Sequence, residues 1–278
     1  MFEPTFVDTV VGRLAVTTCG KGAPAVLWHS LFVDERSWQR VTADLAQDRR
    51  LIVITGPGHG RSSDPGRRYS LTECARSAVE VLDSLGVAEP VDWVGNAWGG
   101  HVGVRFATQY PQQARSLVTL GTPVQALSTG ERATMRVLLQ AHRMLGPAGF
   151  ITDGVLEAML SPATRAGDPE AVSLVRSAFV RADKRRLRNA VVSISLGRED
   201  LATLLPHITA PTLMITGADH SGWTPEQAAA AVTALPHGQV AVVPDAAYLV
   251  PLEQPAATVA LVRDFWASAR TPAPQGRL

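Results

Sequence analysis

The segment VGNAWGGHVG, residues 94–103, has the pattern of a tight turn that presents a nucleophile between a strand and a helix. Closely spaced glycines surround the centre of the turn, and apolar residues with helical spacing follow it. Position 97, where such a turn carries serine, cysteine or aspartate, holds alanine. Because a methyl group has neither a lone pair nor an acidic proton, no covalent intermediate can form at Ala97.

Other side chains with usable chemistry follow the apolar, β-branched runs that the sequence predicts as strands. In an open parallel sheet, ligands bind beyond the carboxyl ends of the strands, so residues at these ends are candidates for a site. The candidates are His29, Ser30, Leu31 and Phe32 after the first core strand, Asp219 and His220 after a later strand, and Tyr248 after the last.

The elements that must position these residues alternate between short apolar runs and amphipathic helical patterns. Such alternation predicts an α/β fold with a mostly parallel, doubly wound sheet that helices cover on both faces. The segment GRLAVTTCG near the start predicts an antiparallel edge pair. The predicted core strands lie within residues 24–30, 50–56, 90–96, 116–123, 211–219 and 238–246.

The alternation stops between residues 124 and 205, which show helical patterns and no convincing strand. A segment of this length is too long for a loop, so we predict a helical lid inserted into a core formed by residues 1–123 and 206–270. The proline-containing residues 271–278 are predicted to form a flexible tail. The helical patterns of the lid lie at residues 129–145, 169–183 and 185–200.

The composition indicates a globular chain, with 46 % hydrophobic residues, 18 % charged residues and a formal net charge of +1. We expect no nucleic-acid partner, because no long basic run occurs, and no membrane association, because no 18-residue apolar run occurs.

Cys19 and Cys74 have no metal-type spacing, and no signal-peptide pattern opens the chain, which favours the cytoplasm. The sequence has no phosphate-loop or dinucleotide motif, so we expect no metal and no cofactor. The sequence does not decide whether the chain forms a homodimer.

Five motifs resemble those of the α/β-hydrolase-fold superfamily, in particular its capped, esterase- and haloperoxidase-like members, in their order and their intervals. The resemblance implies an eight-stranded-type sheet with a helical lid. It also implies a nucleophile, an acid and a histidine at the positions that here hold Ala97, Asp219 and Tyr248. The backbone N–H groups of Leu31 and Trp98 would form the oxyanion hole. The motifs are WHSLF, GPGHGRSS, GNAWGG, PTLMITGAD and PDAAYLVPLEQP.

Of the implied catalytic triad, the acid is kept, whereas the nucleophile and the base are replaced. A phenol titrates near 10 (roughly), so Tyr248 is a poor base at neutral pH and is better suited as a hydrogen-bond donor or weak acid. We expect Asp219 to orient this phenol or to act as a general base itself. In the equally weighted alternative, Tyr248 only fills the space of the imidazole and bonds to Asp219.

Substrate contacts are expected from residues that flank the site motifs. Aromatic side chains there favour a large apolar ligand. The presence of any one of these aromatic residues, taken alone, is explained by packing in the hydrophobic core. His29 is expected to orient the backbone of its turn. His220 is interpreted as an exposed turn residue, with a role as the base as the alternative. The expected contacts are His29, Ser30, Phe32, His220 and Trp223.

Three functions are compatible with this set of residues. The leading hypothesis is a non-hydrolytic enzyme, a cyclase, lyase or isomerase of specialised metabolism. It would act on an apolar small molecule through the backbone oxyanion donors, Tyr248 and Asp219. The first alternative is a non-catalytic protein that binds a small molecule. The second is an ester hydrolase that has been inactivated by substitution at Ala97.

Overall fold

The computed structural model of the protein describes residues 3–269, so the predicted tail at 271–278 lies outside the described residues. The strands are β1 (Thr5–Thr9), β2 (Gly12–Cys19), β3 (Pro24–Trp28), β4 (Arg50–Ile54), β5 (Val91–Asn96), β6 (Ala114–Leu120), β7 (Thr212–Gly217) and β8 (Gly238–Val243). Within the described residues they form one eight-stranded sheet in the order β1-β2-β4-β3-β5-β6-β7-β8. β2 pairs antiparallel with β1 and β4, and all other neighbours run parallel. The predicted mostly parallel sheet and its antiparallel edge are confirmed.

The strands in the middle of the sheet are buried along their whole length because helices cover both faces. Every residue of β3, β5 and β7 is buried, as expected for parallel strands between two helical layers. At the edge of the sheet, β8 is mostly exposed or half-buried. The carboxyl ends of the parallel strands lie at one side of the sheet, where the candidate residues of the sequence are found.

The helices pack on both faces of the sheet, with α2 and α3 on one face and α1 and α11 on the other. None of the helices within residues 3–269 combines the length and the apolar character that crossing a bilayer requires. The α-helices are α1 (Gln39–Leu45), α2 (Leu71–Ser84), α3 (Trp98–Gln109), α4 (Thr129–Leu145), α5 (Gly149–Met159), α6 (Pro162–Gly167), α7 (Pro169–Arg181), α8 (Lys184–Ala190), α9 (Pro225–Val232), α10 (Val250–Glu253) and α11 (Pro255–Ser268). Short 3₁₀-helices span Glu35–Trp38, Pro111–Gln113 and Ala202–His207.

All regular secondary-structure elements between β6 and β7 are helical. This interval contains α4 to α8, then a π-helical segment, Val191–Leu196. The prediction of one helix over 185–200 is therefore wrong in its second half, because the backbone leaves the α-helical hydrogen-bond pattern after Ala190. The helices α5 and α6 were not predicted.

This helical segment, residues 124–205, packs on the carboxyl-end side of the sheet. Val33, in the turn after β3, and Leu249, in the loop after β8, belong to one apolar cluster with side chains of α5 and α7. Phe32 lies against Phe179 of α7, with ring centroids 6.3 Å apart. The segment therefore covers the turns that carry the candidate residues, while its role as a lid stays a prediction.

Candidate functional site

The turn between β5 and α3, termed the elbow, holds Ala97 in a backbone conformation that non-glycine residues rarely adopt. Its φ is 47° and its ψ is −99°, and such strain costs on the order of 1–3 kcal/mol. The neighbouring glycines are required by close contacts, since a Cβ on Gly95 would overlap the backbone of Gly99 and a Cβ on Gly99 would overlap the Trp28 carbonyl. The geometry that presents a nucleophile is thus kept, although Ala97 is fully buried and carries only a methyl group.

The turn after β3, which carries Leu31, lies beside the elbow, which carries Trp98, the other expected oxyanion donor. Trp98 is the first residue of α3, so its N–H has no carbonyl one helical turn earlier to which it could donate. The next N–H of the helix, that of Gly99, donates to the carbonyl of His29 at 3.2 Å. This hydrogen bond holds the elbow against the turn that contains Leu31.

His29 is occupied by the backbone of these turns. Its Nε2 accepts a hydrogen bond from the Gly56 N–H at 2.9 Å, so the proton lies on Nδ1, which donates to the Ser30 carbonyl at 2.6 Å. Burial, together with the neighbouring His59, lowers the pKa of His29 to about 3. His29 is therefore a neutral side chain that orients backbone rather than a catalytic base.

Tyr248 lies in the loop between β8 and α10, which two polar side chains hold in place. Asn96, at the end of β5, donates to the Tyr248 carbonyl at 2.9 Å. The buried carboxylate of Glu253 accepts from the N–H groups of Ala247 at 2.9 Å and Leu249 at 3.1 Å. The sequence analysis gave neither Asn96 nor Glu253 a role, although both lie inside the motifs that carry the family resemblance.

The phenol of Tyr248 is protonated at neutral pH. Burial raises its pKa, and the Arg198 guanidinium and the Ser30 hydroxyl offset only part of this increase. The Ser30 hydroxyl is fully buried and has no well-aligned hydrogen-bond partner among the described residues. Tyr248 is thus a hydrogen-bond donor or weak acid beside a second hydroxyl group, as the sequence analysis expected for the phenol.

His220 is buried and lies against Tyr248, with ring centroids 4.9 Å apart. Its interpretation as an exposed turn residue is therefore wrong. Nδ1 accepts a hydrogen bond from the Gly222 N–H at 3.1 Å, which assigns the proton to Nε2. Nε2 is buried without a partner among the described residues, and burial lowers the pKa of the ring to about 4. His220 is thus a neutral donor at pH 7.

Asp219 does not take the position that the sequence analysis expected. Its side chain is exposed, and its backbone N–H donates to the Ala246 carbonyl at 2.9 Å. Within residues 3–269, its carboxylate forms no hydrogen bond to Tyr248. The expectation that Asp219 orients the phenol is therefore wrong, because the turn after β7 directs His220 rather than Asp219 towards Tyr248.

The predicted aromatic contacts divide into core and cavity residues. Trp223 is 1 % exposed and belongs to a hydrophobic core cluster, so the expected substrate contact is corrected to core packing. Phe32 is half-buried and lines a cavity of about 350 Å³ between the turn after β3 and the helices α7 and α8. Leu31 and His59 line the same cavity. A space suited to a small molecule therefore adjoins the oxyanion turn.

Arg198, which follows the π-helical segment, was not found by sequence reasoning. It is only 8 % exposed. Its Nη1 lies 3.0 Å from Nε2 of His101, and its Nη2 donates to the Gln125 carbonyl at 2.6 Å. Burial lowers the pKa of Arg198, and Tyr248 gives the largest opposing effect. No sequence signal separates this arginine from the exposed arginines of the helical segment, since its burial depends on the fold.

Four side chains at this place, which we term the donor cluster, share one property. At neutral pH each presents an N–H or O–H group, and none of them is a strong base. Such a set can stabilise negative charge on a ligand oxygen, but it cannot form an acyl-enzyme. Within residues 3–269, no group of three potential metal ligands is arranged to hold an ion. The donor cluster consists of Ser30, Arg198, His220 and Tyr248.

Comparisons with known proteins agree with the fold. A model of the alpha/beta hydrolase family matches residues 25–261. The chain belongs to this family. It is 29 % identical over 270 residues to a Bacillus subtilis (strain 168) protein provisionally named 2-succinyl-6-hydroxy-2,4-cyclohexadiene-1-carboxylate synthase, and this similarity covers 92 % of the chain and 95 % of that protein.

Two further similar proteins extend the comparison. Pyrrolizixenacetamide deacetylase of Xenorhabdus hominickii is 26 % identical over 268 residues, which cover 94 % of this chain and 98 % of that protein. The structure of a thermophilic esterase from Thermogutta terrifontis superposes with a TM-score of 0.90 at 25 % identity, covering 97 % of this chain and 100 % of the esterase. The resemblance that the motifs indicated is thereby confirmed, and the family is one of enzymes.

Proposed function

We propose that this alpha/beta hydrolase is a cofactor-independent, non-hydrolytic enzyme that acts on an apolar small molecule as a cyclase, lyase or isomerase. One observation carries the proposal. The strained elbow is kept with a methyl group at Ala97, while Tyr248 and His220 present donors beside it. A family member that lacks both the nucleophile and the base cannot use the acyl-enzyme route.

The proposed chemistry is the stabilisation of negative charge on a substrate oxygen. The N–H groups of Leu31 and Trp98 would bind this oxygen. Each such donor lowers the activation free energy of the reaction by on the order of 3 kcal/mol. Tyr248 would donate a hydrogen bond to the same oxygen and keep its proton. Because Asp219 is exposed, we assign it no role as a base. The site thus favours cyclisation or rearrangement of an unsaturated carbonyl compound, in which the protein need not abstract a proton.

The helical segment 124–205 serves in this proposal as a lid. Its Phe179 packs against Phe32 in the turn after β3, which also carries the oxyanion donor of Leu31. A covered site excludes water, which strengthens hydrogen bonds to a developing charge and suppresses competing hydrolysis. Packing of the segment over the turn is therefore compatible with a non-hydrolytic reaction.

The names of the relatives are compatible with the proposal. The Bacillus relative bears the name of a synthase, whereas the Xenorhabdus relative bears that of a deacetylase. The family therefore includes proteins named for non-hydrolytic as well as hydrolytic reactions, and the residue at position 97 favours the first kind for this chain.

The proposal is tested by mass spectrometry in H₂¹⁸O. The purified chain is incubated with p-nitrophenyl esters and with a small-molecule extract of its source organism. We expect no ester hydrolysis and a new product without ¹⁸O, because no water is added to the substrate. An ¹⁸O-labelled acid that depends on the protein would refute the proposal and indicate a hydrolase with a displaced base.

A second candidate function, small-molecule binding without catalysis, is favoured by one specific observation. The donor cluster can hold an oxygen-bearing ligand, but Asp219, the expected base, is exposed, and its carboxylate forms no hydrogen bond to Tyr248 among the described residues. In the same experiment, a binding protein would retain a compound from the extract unchanged and release it only on denaturation.

A further inference from the structure

A second cavity, between the helical segment and the core, is lined by three arginines that the proposed function does not use. Arg68 lies in the loop before α2, Arg136 on α4 and Arg188 on α8. The cavity has a volume of about 420 Å³, which is within the range of small-molecule sites. The donor cluster is not among the described residues that line it. It is therefore a candidate site of its own.

No carboxylate of the described chain contacts these three positive charges. Within residues 3–269, none of the three guanidiniums lies within 4 Å of a carboxylate oxygen. The described residues that line this cavity include no aspartate or glutamate. By contrast, Asp34 and Glu35 line the cavity beside the oxyanion turn. The arginine-lined cavity thus has positive charge without an acid of its own.

The acids nearest to these arginines in sequence are bonded to other groups. Glu131 and Asp183 accept hydrogen bonds from backbone N–H groups at the starts of α4 and α8. Glu73 forms a salt bridge with Arg67 at 2.7 Å, and Asp64 accepts a hydrogen bond from a side-chain amide of α8 at 2.7 Å. Since like charges close together repel one another, the three arginines favour an anion from outside the chain.

Apolar side chains form another part of the cavity wall. Leu139 of α4 lines it, together with Val192 and Leu196 of the π-helical segment. Binding sites for organic molecules commonly combine such an apolar lining with a few polar or charged groups that fix orientation. The wall therefore favours an organic anion over a bare inorganic ion.

We propose that this cavity binds a phosphate-bearing small molecule, whose phosphate group pairs with Arg68, Arg136 and Arg188. A phosphate monoester carries about two negative charges at neutral pH and has three acceptor oxygens. Guanidinium groups bind such oxygens with charge-assisted hydrogen bonds. A carboxylate, with one charge and two oxygens, matches three cations less well. The net charge of the chain is only +1, so the positive charge is local and favours a small ligand over a nucleic acid.

The inference goes beyond the proposed function and can fail or hold independently of it. Arg68 belongs to the core, whereas Arg136 and Arg188 belong to the helical segment 124–205. A phosphate held by all three would connect the segment to the core. A ligand that binds only the folded chain stabilises it, so we expect the ligand to raise the melting temperature.

The test is isothermal titration calorimetry of the full chain with phenyl phosphate, phenyl sulfate and inorganic phosphate at constant ionic strength. Phenyl sulfate has the same ring but a single negative charge. We expect phenyl phosphate to bind about tenfold or more tightly than phenyl sulfate, because it has the higher charge. We expect it to bind about threefold or more tightly than inorganic phosphate, because its ring contacts the apolar wall. These comparisons need no variant.

Variants of two cavity arginines identify the site. Arg136→Gln and Arg188→Gln should each weaken the binding of phenyl phosphate about tenfold, because each removes one charge-assisted contact. Arg143 provides the control, since it is another exposed arginine of α4 but is not among the described residues that line the cavity. Arg143→Gln should leave the affinity within about twofold of its original value. All three arginines are exposed, so we expect these variants to fold.

A second arm distinguishes a soluble phosphate ester from a lipid headgroup. The chain is sedimented with phosphatidylcholine vesicles that contain or lack phosphatidic acid. Co-sedimentation that needs phosphatidic acid and is lost in Arg136→Gln would assign the phosphate to a lipid. Binding of phenyl phosphate without co-sedimentation would assign it to a soluble ester.

Several outcomes would overturn the inference. These are no binding of phenyl phosphate at millimolar concentration, equal binding of phenyl phosphate and phenyl sulfate, or an unchanged affinity in both Arg136→Gln and Arg188→Gln. Equal weakening by Arg143→Gln would also overturn it, because the effect would then reflect the overall charge of the segment rather than the cavity.

Discussion

Two residues of the turn after β7, Asp219 and His220, determine which chemistry the donor cluster has. The sequence places Asp219 and His220 correctly at the end of a strand, but it cannot say which of them faces Tyr248. That choice depends on local hydrogen bonds, such as the one from the Gly222 N–H to Nδ1 of His220. By contrast, the consequence of Ala97 was predictable, because a missing nucleophile depends on residue type alone. Chemical identity was therefore readable from sequence, whereas side-chain direction was not.

Restoring the hydroxyl group at the elbow should not restore ester hydrolysis. In Ala97→Ser no base faces the new hydroxyl, because Tyr248 is a protonated phenol and His220 carries its proton on Nε2. We expect p-nitrophenyl acetate hydrolysis on the order of 10⁴-fold or more below that of an intact triad. Hydrolysis well above that level, measured by release of p-nitrophenol, would indicate a hydrolase inactivated at Ala97.

At the scale of elements, the loop from β8 to α10 is held by one buried carboxylate. Glu253 accepts hydrogen bonds from two N–H groups of this loop and from the Ser161 N–H of the helical segment at 2.7 Å.

A helix such as α4 was predictable from the sequence, since its apolar spacing extends along the whole element. The path of this loop was not, because it depends on contacts between residues such as Ser161 and Glu253 that are distant in sequence.

Glu253→Gln should loosen this loop and destabilise the protein. The amide offers one acceptor oxygen in place of two and loses the charge that strengthens these hydrogen bonds. We expect the free energy of unfolding, measured by urea denaturation, to fall by about 1–3 kcal/mol. The exposed Glu226 of α9 provides the control, and Glu226→Gln should leave stability nearly unchanged. Equal stability of the two variants would show that Glu253 does not hold the loop.

At the scale of the whole molecule, the sheet has separate structural and functional ends. At the amino end of β5, Asp92 forms a buried salt bridge with Arg49 at 2.7 Å and accepts a hydrogen bond from Ser116 at 2.7 Å. The donor cluster lies beyond the carboxyl ends. The sheet was predictable because strand and helix patterns alternate, but the partner of Asp92 was not, since it depends on which strands are neighbours.

Asp92→Asn should unfold more easily without altering the site. It leaves Arg49 as an uncompensated buried charge, which costs about 3–5 kcal/mol. We expect a lower midpoint in urea denaturation and unchanged ligand affinity under conditions in which the variant is folded. A change in affinity without a loss of stability would contradict this separation of the two ends.

The buried histidines should make stability depend on pH. Burial lowers the pKa of His220 from 6.5 to about 4, and burial with the neighbouring His59 lowers that of His29 to about 3. Below pH 6.5 the unfolded chain binds protons that the folded chain does not, so the free energy of unfolding falls as the pH drops towards 4. His220→Gln should make this decline shallower, and the exposed His237→Gln should not. An identical decline in both variants would argue against His220 as a contributor.

The central claim is that Tyr248 is a catalytic donor rather than a filler of space. It is tested most directly by the initial rate at which the chain, Tyr248→Phe and the control Tyr110→Phe form the unlabelled product in H₂¹⁸O. We predict that Tyr248→Phe, which removes only the phenolic oxygen, forms the product on the order of tenfold or more slowly, while Tyr110→Phe is unaffected. Equal rates in all three proteins would contradict the claim and leave Tyr248 as a residue that only fills the place of the missing histidine.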